Sequence, residues 1–536
     1  MTARLQHIAT LGVDAVWISP CFTSPQRDGG YDVADFLNIA EEYGTPAEFE
    51  AFVAAAHGLG LRVLLDIVPN HVSIDHAWFT AATRDASAPE RARFIFRRGR
   101  SADVPPNNWS SVFGGSAWTK DGPDQWYLHS FDASQPDLNW DDPDVVIHFD
   151  EVLRHWFGRG VDGFRIDVAH GLVKGQGLPD WPGAEDGTGG HNYAQWDQPG
   201  VHEIYRRWRR LAESHPEGPR YLIGEIWVPS RTRLAAYLRP DELHHTFEFD
   251  LLVQPWSAGH FQSAITRILA EPALEGHVWT LSNHDVHRTV TRYGQQQVLE
   301  PPDPTDMLAA ARRTGPVDLA LGTARARAAL MLMLALPGAA YLYQGEELGL
   351  PEVVDLPDDA RTDPIWVRSR GHQLGRDGCR IPMPWDSTAI NAGFSSAPRT
   401  WLPQPAAFRF FAADLQSDDP TSVLRHFQAV IAARRSLFGG DAGLTWLDAP
   451  ADVLAWSRGN GVVVINFGES PVALRTDDRA PLASSATVEQ SDGSIELAPN
   501  SGLWSRAAVT FTPTTSTTRH ASSTDTLEPV LQSTTG

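Results

Sequence analysis

Residues 161–170 read VDGFRIDVAH, and this stretch decides the fold of the chain. Its centre is a short apolar run in which Arg165 and Asp167 stand two residues apart, so a strand would place both side chains on one face. Charges at the end of an apolar strand must be paired or take part in chemistry, because an unpaired buried carboxylate becomes protonated instead. Taken alone, the pair is as readily a structural ion pair as part of a functional site.

Three further apolar runs end in the same way. Each places a carboxylate where a strand should stop, and two add a histidine: LLDIVPNH at residues 64–71, YLIGEIW at 221–227 and WTLSNHD at 279–285. Because the carboxyl ends of parallel strands meet at one edge of a sheet, these polar groups are expected to converge.

Strands and helices alternate along most of the chain, which predicts an α/β fold, a parallel (β/α)8 TIM barrel. Thr45, Pro46 and Glu48 form a capping box that predicts the start of one helix. The predicted strands cover residues 15–19, 62–68, 163–168, 221–226, 278–282 and 339–344. The predicted helices cover residues 2–11 and 324–336, begin near residues 46, 142 and 201, and include a last one around 424–431.

Two segments depart from this alternation. Residues 72–138 are too long for an ordinary loop and predict an inserted subdomain. After about residue 440, short alternating strands around the turn at 459–461 predict an all-β domain. We therefore divide the chain into a catalytic barrel over 1–440 interrupted by subdomain 72–138, a C-terminal β-sandwich-like domain over 441–512, and a disordered low-complexity tail over 513–536.

Composition excludes several classes of function. The net charge of −22 and the sequence pI near 5.3 argue against nucleic-acid partners and favour a neutral or small substrate. Two cysteines, Cys21 and Cys379, cannot form a disulfide framework and are compatible with a cytoplasmic location. The longest apolar run, 328–343, is interrupted by Pro337 and Gly338, so no membrane span is expected. We expect a monomer or homodimer.

The four motifs, in this order and together with QPDLNW at 135–140, resemble the conserved regions of the α-amylase superfamily, glycoside hydrolase family 13. The QPDLN form resembles the α-glucosidase and oligo-1,6-glucosidase branch, and the resemblance extends to about residue 510. Family members usually begin with a strand carrying a QxYPRSF-like sequence and an aspartate-rich DxNxDG loop that can hold calcium. Neither sequence is found here, so the first barrel strand is expected to be missing. The resemblance also implies that the subdomain follows the third strand of the family's barrel. Either the start was assigned too far downstream or the truncation is real.

The resemblance also implies roles for individual residues. Retention during acetal cleavage needs two carboxyl groups roughly 5 Å apart. Asp167 is implied as the nucleophile, Glu225 as the general acid/base, and Asp285 as the third carboxylate that holds sugar hydroxyls. Because an opposite charge favours the ionised carboxylate, Arg165 is expected to lower the pKa of Asp167. The implied substrate-binding residues are Asp28, Tyr31, His71, Arg165, His284 and Arg380, and neither a metal nor a cofactor is implied.

These residues predict a retaining α-glucosidase that releases terminal glucose from the nonreducing end of short α-glucosides. In this branch a valine after the nucleophile accompanies α-1,6 preference, and the chain has Val168 there. The surrounding sequence and the insertion at 296–321 resemble enzymes of broad or α-1,4 preference, so maltose-type substrates are expected. An α-glucosyltransferase, an oligo-1,6-glucosidase and a noncatalytic relative remain alternatives, although a noncatalytic relative is expected to lack one of the three carboxylates. A metal hydrolase is disfavoured because no HxH or HExxH spacing exists.

Overall fold

The computed structural model describes residues 1–183, 191–270, 276–300, 314–439, 443–477, 482–491 and 493–512. Its central element is a curled sheet of seven parallel strands, whose spatial order follows their order in the chain. The strands are β1 (Ala15–Ile18), β2 (Arg62–Ile67), β3 (Gly163–Ile166), β4 (Tyr221–Gly224), β5 (His245–Glu248), β6 (His277–Thr280) and β7 (Ala339–Tyr341). With the helices that connect the strands, this sheet forms the predicted TIM-barrel fold.

Helices connect and cover these strands. The predicted capping box is confirmed, because the Thr45 side chain accepts from the Glu48 backbone N–H and the Glu48 side chain accepts from the Thr45 backbone N–H. The α-helices outside the inserted subdomain are Leu5–Leu11, Pro46–Gly58, Pro143–Phe157, Val201–Glu213, Arg231–Ala236, Phe249–Leu252, Ala258–Leu269, Thr289–Gly294, Leu319–Leu334, Pro364–Arg368, Ala413–Asp418 and Val423–Leu437.

The edge strands of the sheet, β1 and β7, share no backbone pairing among the described residues. Their side chains nevertheless meet inside the barrel, where the rings of Trp17 and Tyr341 lie 5.8 Å apart. Phe247 on β5 packs against both rings, with centroid distances of 6.0 and 5.0 Å. The described sheet has seven strands, and aromatic side chains pack in its interior.

One strand was missed, and four predicted strands extend two or three residues too far: those over 163–168, 221–226, 278–282 and 339–344 end at Ile166, Gly224, Thr280 and Tyr341. Strand β5 was not predicted, because His245–Glu248 is a short segment with polar residues and no apolar run to reveal it. The strand predicted over 163–168 ends at Ile166, so Asp167 lies just beyond it and Val168 adopts a left-handed φ of 44°. The chain therefore turns directly after Asp167 and does not continue as a strand.

The inserted subdomain contains a three-stranded antiparallel sheet, and a two-stranded hairpin precedes it in the chain. The subdomain has its own small core around Trp109 and Trp118, to which Leu178 from outside the segment contributes. Its strands are Phe96–Arg98, Trp118–Lys120 and Gln125–Leu128, with the helix Ala77–Arg84, and the hairpin strands are Phe22–Thr23 and Asp35–Ile39.

The C-terminal part is all-β, as predicted, and consists of a five-stranded and a four-stranded antiparallel sheet. Apolar residues of both sheets, including Val464 and Ile495, share one core, which is the arrangement of a sandwich. Its strands are Thr445–Trp446, Val453–Arg458, Gly461–Asn466, Val472–Thr476, Ala483–Ser484, Glu489–Ser491, Ser494–Leu497, Ser501–Ser505 and Val509–Phe511.

Some predictions concern residues that the structure does not describe. The predicted disordered tail, 513–536, lies outside the described residues, as do the domain boundary near residue 440 and part of the segment 296–321. Among the helices that the structure does describe, none combines the length and the apolar character that crossing a bilayer would require.

Candidate active site

Arg165 is the centre of a buried cluster at the carboxyl ends of β2, β3 and β4. Its Nη1 lies 3.0 Å from Asp66 Oδ1 and 2.7 Å from Asp167 Oδ1, and its Nη2 lies 2.6 Å from Glu225 Oε2. The Arg165 side chain is 3% exposed, so these interactions are shielded from water. Neighbouring parallel strands bring the three carboxylates to one guanidinium, as convergence at the strand ends predicts.

The charges in this cluster do not balance. Burial raises the pKa of Asp167 well above its ordinary value; Arg165 opposes this, and the Glu225 charge adds to it. Burial likewise raises the pKa of Asp66 to about 7, again against the effect of Arg165. The expectation of a lowered pKa for Asp167 is therefore wrong: Arg165 does lower the pKa, but desolvation outweighs this effect. Three carboxylates around one guanidinium favour retention of a proton within the cluster.

Tyr31 and His284 connect this cluster to the third predicted carboxylate, Asp285. The Tyr31 hydroxyl donates to Asp66 Oδ2 at 2.9 Å and lies 2.8 Å from His284 Nε2, and the two rings stack with centroids 5.2 Å apart. His284 Nε2 lies 3.3 Å from Asp285 Oδ2. Burial lowers the pKa of His284 to about 3, so the imidazole is neutral at ordinary pH.

Two arginines bind Asp285, and one of them, Arg376, joins it to the predicted pocket residue Asp28. Arg376 lies 2.6 Å from Asp28 Oδ1 and 3.1 Å from Asp285 Oδ1, while Asp363 fixes its Nε at 2.6 Å. Arg380 lies 3.1 Å from the same Asp285 oxygen and donates to the His284 carbonyl oxygen at 2.9 Å. Burial raises the pKa of Asp28 to about 6 against the opposing effect of Arg376.

Arg376 was not among the predicted site residues, although it makes more ionic contacts there than Arg380 does. The signal was available, since both arginines belong to GRDGCR at 375–380 and stand four residues apart. A sequence motif does not indicate which of two nearby guanidinium groups reaches which carboxylate.

His71 lies on the opposite side of Asp28, and the QPDLN motif connects the two. Gln135 Nε2 donates to Asp28 Oδ2 at 3.0 Å and lies 3.3 Å from His71 Nε2. His71 Nδ1 lies 3.1 Å from the Asn70 amide nitrogen, and its Nε2 lies 3.2 Å from the Tyr31 carbonyl oxygen. Burial lowers the pKa of His71 to about 4, so this ring is also neutral.

A buried ion pair that was not predicted supports the part of the site around His71 and Gln135. Lys174 Nζ lies 2.9 Å from Asp137 Oδ2 and donates to Asn70 Oδ1 at 3.0 Å. Burial favours the neutral carboxyl, but Lys174 and the Ser130 donors hold the pKa of Asp137 below its ordinary value. Asp137 and Asn70 are adjacent to Gln135 and His71 in sequence, so this pair fixes the backbone that carries both.

All nine predicted site residues therefore belong to one connected network of hydrogen bonds and ion pairs. Among the residues that the structure describes, no three histidine, cysteine or acidic side chains are arranged to hold a metal ion. The network can bind a small polyhydroxylated molecule, because it offers carboxylates, guanidinium groups and neutral imidazoles together.

Comparison with known proteins agrees with this geometry. The family model described as "Alpha amylase, catalytic domain" matches residues 1–438. A probable alpha-glucosidase of Rhizobium meliloti (strain 1021) is 35% identical over 81% of this chain and 78% of its own length. An oligo-1,6-glucosidase of Parageobacillus thermoglucosidasius is 31% identical over 89% of this chain and 87% of its own length.

Solved structures give the same result. An alpha-glucosyl transfer enzyme superposes with a TM-score of 0.81 at 34% identity, covering 94% of both chains. The trehalulose synthase MutB superposes with a TM-score of 0.79 at 28% identity, again over 94% of both chains.

The barrel, its rim of carboxylates and these relatives define an enzyme that acts on glycosidic bonds. The chain belongs to the alpha-amylase catalytic-domain family, glycoside hydrolase family 13, and within it to the α-glucosidase branch.

The buried Lys174–Asp137 pair predicts a strong effect on stability. Lys174→Met should lower the free energy of unfolding by about 3–5 kcal/mol, because it leaves the Asp137 charge buried without an opposite charge. Lys120→Met is the matched control, since Lys120 pairs with Asp103 at 2.9 Å but is 38% exposed, and it should cost less than about 1 kcal/mol. Urea denaturation measures both values, and equal losses would contradict a structural role for the buried pair.

Proposed function

We propose that this protein is a retaining α-glucosidase that releases glucose from the nonreducing end of short α-glucosides. The observation that carries the proposal is the Arg165 guanidinium, which binds both Asp167 and Glu225 and so holds the two carboxyl groups side by side. Such a pair is what cleavage with retention requires, since one group attacks the anomeric carbon and the other protonates the departing oxygen.

In the first step Asp167 forms a bond to the anomeric carbon while the glycosidic bond breaks, and Glu225 gives its proton to the leaving oxygen. In the second step Glu225 takes a proton from water, and that water displaces Asp167 from the sugar. Arg165 opposes the rise in the pKa of Asp167 that burial causes, and so favours the ionised form that the nucleophile needs. Asp285, next to His284 and both arginines, is placed to bind sugar hydroxyls.

The substrate-binding residues support a pocket for a single terminal sugar. Asp28, His71 and Arg376 are all buried and connected to one another through Gln135 and direct ion pairs. Groups cross-linked in this way close one end of the site, so a polysaccharide chain could not pass through it. Short substrates that enter by their nonreducing end fit this arrangement.

An α-glucosyltransferase is the second candidate. The same covalent intermediate can be resolved by a sugar hydroxyl instead of water, and a relative with a TM-score of 0.81 is described as an alpha-glucosyl transfer enzyme. Product analysis after incubation with maltose, isomaltose and sucrose separately distinguishes the two, because transfer yields new oligosaccharides while hydrolysis yields free monosaccharides.

The roles of the two carboxylates predict different mutant behaviour. Asp167→Asn should keep the fold and lose several orders of magnitude in turnover, because no covalent intermediate can form. Azide should restore activity to Glu225→Ala on substrates with good leaving groups, since the small anion enters the space of the lost side chain and needs no base. Equal residual rates for both variants without azide would refute these assignments.

The closed pocket predicts selectivity for substrate size. Maltose and maltotriose should be hydrolysed from the nonreducing end, whereas starch should remain nearly untouched, because the middle of a chain cannot enter. Chromatography of the products from amylose is the measurement, and the appearance of internal fragments would contradict a pocket closed at one end.

Linkage preference is predicted from the surroundings of Val168. We expect a higher kcat/KM on maltose than on isomaltose, with Val168→Thr changing the ratio by roughly tenfold or less. One methyl group exchanged for a hydroxyl beside a sugar alters relative transition-state binding by only about 1–3 kcal/mol. Faster turnover of isomaltose by the unchanged protein would show that Val168 outweighs the rest of the pocket.

A further inference from the structure

The two carboxyl oxygens of Glu225 have different partners. Oε2 lies 2.6 Å from Arg165 Nη2 and accepts the Val168 backbone N–H at 3.2 Å. Oε1 accepts a single hydrogen bond from the indole Nε1 of Trp227, at 2.9 Å. This asymmetry bears on catalysis, because a carboxylic acid carries its proton on only one oxygen.

Oε2 is unsuited to carry that proton. A carboxyl oxygen has about two acceptor positions, and on Oε2 both face donors, a guanidinium and a backbone N–H. A proton placed there would point at another donor hydrogen and would break a short charge-assisted bond. Among the residues that the structure describes, Oε1 has one donor and retains one free position, so the transferable proton of Glu225 belongs on Oε1.

Trp227 is well placed to hold Oε1 in one direction. The chain leaves β4 after Gly224, and Trp227 stands two residues after Glu225, near enough for its indole N–H to reach Oε1. The Trp227 ring stacks face to face on Phe249, with centroids 3.8 Å apart. Since the indole N–H can donate but never accept, it cannot take the proton itself.

We propose that Oε1 of Glu225 delivers the proton to the glycosidic oxygen, and that Trp227 is a positioning residue that aims this oxygen. The inference rests on the proposed function, in which Glu225 is the general acid. As the anomeric carbon bonds to Asp167, the glycosidic bond breaks and its electron pair takes the proton from Oε1. Glu225 is left as a carboxylate, which the Trp227 N–H stabilises until water returns the proton.

The test compares two substrates of nearly the same shape, phenyl α-glucoside and 4-nitrophenyl α-glucoside. Phenolate is a poor leaving group that needs protonation, whereas 4-nitrophenolate departs with little help. Trp227→Phe keeps an aromatic ring for packing against Phe249 and removes the N–H together with part of the indole. We expect kcat/KM to fall about tenfold on the phenyl glucoside, a part of the full general-acid effect, and less than about threefold on the nitrophenyl glucoside.

Phe249→Leu is the matched control, because it removes the stacking partner while retaining the indole N–H. It should change kcat/KM by similar factors on both substrates. Trp227→Leu should reproduce the unequal losses of Trp227→Phe if the N–H is what matters, and a thermal melt of each variant establishes folding.

Equal losses on both glucosides in Trp227→Phe and Trp227→Leu would overturn the inference. Glu225→Gln separates this failure from failure of the proposed function. If Glu225→Gln discriminates strongly between the two glucosides while the Trp227 variants do not, only the role of Trp227 is refuted. If Glu225→Gln itself shows no dependence on the leaving group, Glu225 is not the general acid and the proposed function fails.

Discussion

The arrangement of the candidate active site depends on one buried guanidinium group, that of Arg165. It binds carboxylates from three consecutive barrel strands, Asp66, Asp167 and Glu225. Each of these charges would be costly to bury alone, and one positive charge compensates them incompletely. Because the remaining imbalance favours a retained proton, the burial of this cluster is linked to the protonation of its carboxylates.

Hydrogen bonds and ion pairs connect the Arg165 cluster to the other predicted site residues. Tyr31 and His284 link Asp66 to Asp285, and Arg376 links Asp285 to Asp28. The two imidazoles of the network are neutral because burial lowers the pKa of each. Neutral rings and shared arginines keep the local charge from growing as more polar groups are added, so the site can be both polar and buried.

The inserted segment and the barrel contribute to the site together. The QPDLN motif follows the last strand of the subdomain; Gln135 reaches Asp28 and His71, and Asp137 anchors Lys174 from beyond β3. Neither the subdomain nor the barrel would hold these side chains in place alone, since each side chain binds a partner in the other part. The pocket is therefore a product of the junction between the subdomain and the barrel.

The sequence by itself determined the barrel and the all-β C-terminal part, and it predicted nine residues that the structure joins in one network. Apolar runs that end in carboxylates carry that information locally, through strand periodicity and the rule that parallel strands end at one edge. The capping box at Thr45 is equally local and was predicted correctly. Strand β5 was missed because its four residues have no apolar pattern, and pairing with β4 and β6 holds them in the sheet.

Only the tertiary structure decided how the charged groups are shared. The chain turns at Val168 instead of continuing as a strand, Arg376 reaches Asp28 and Asp285, and the Lys174–Asp137 pair joins residues 37 apart in sequence. The pKa of Asp167 depends on burial and on three neighbours at once, so the lowering effect of Arg165, which the sequence indicated, did not decide the net direction. Such properties depend on distances between separate segments and on exclusion of water, and neither quantity is encoded in any single stretch of sequence.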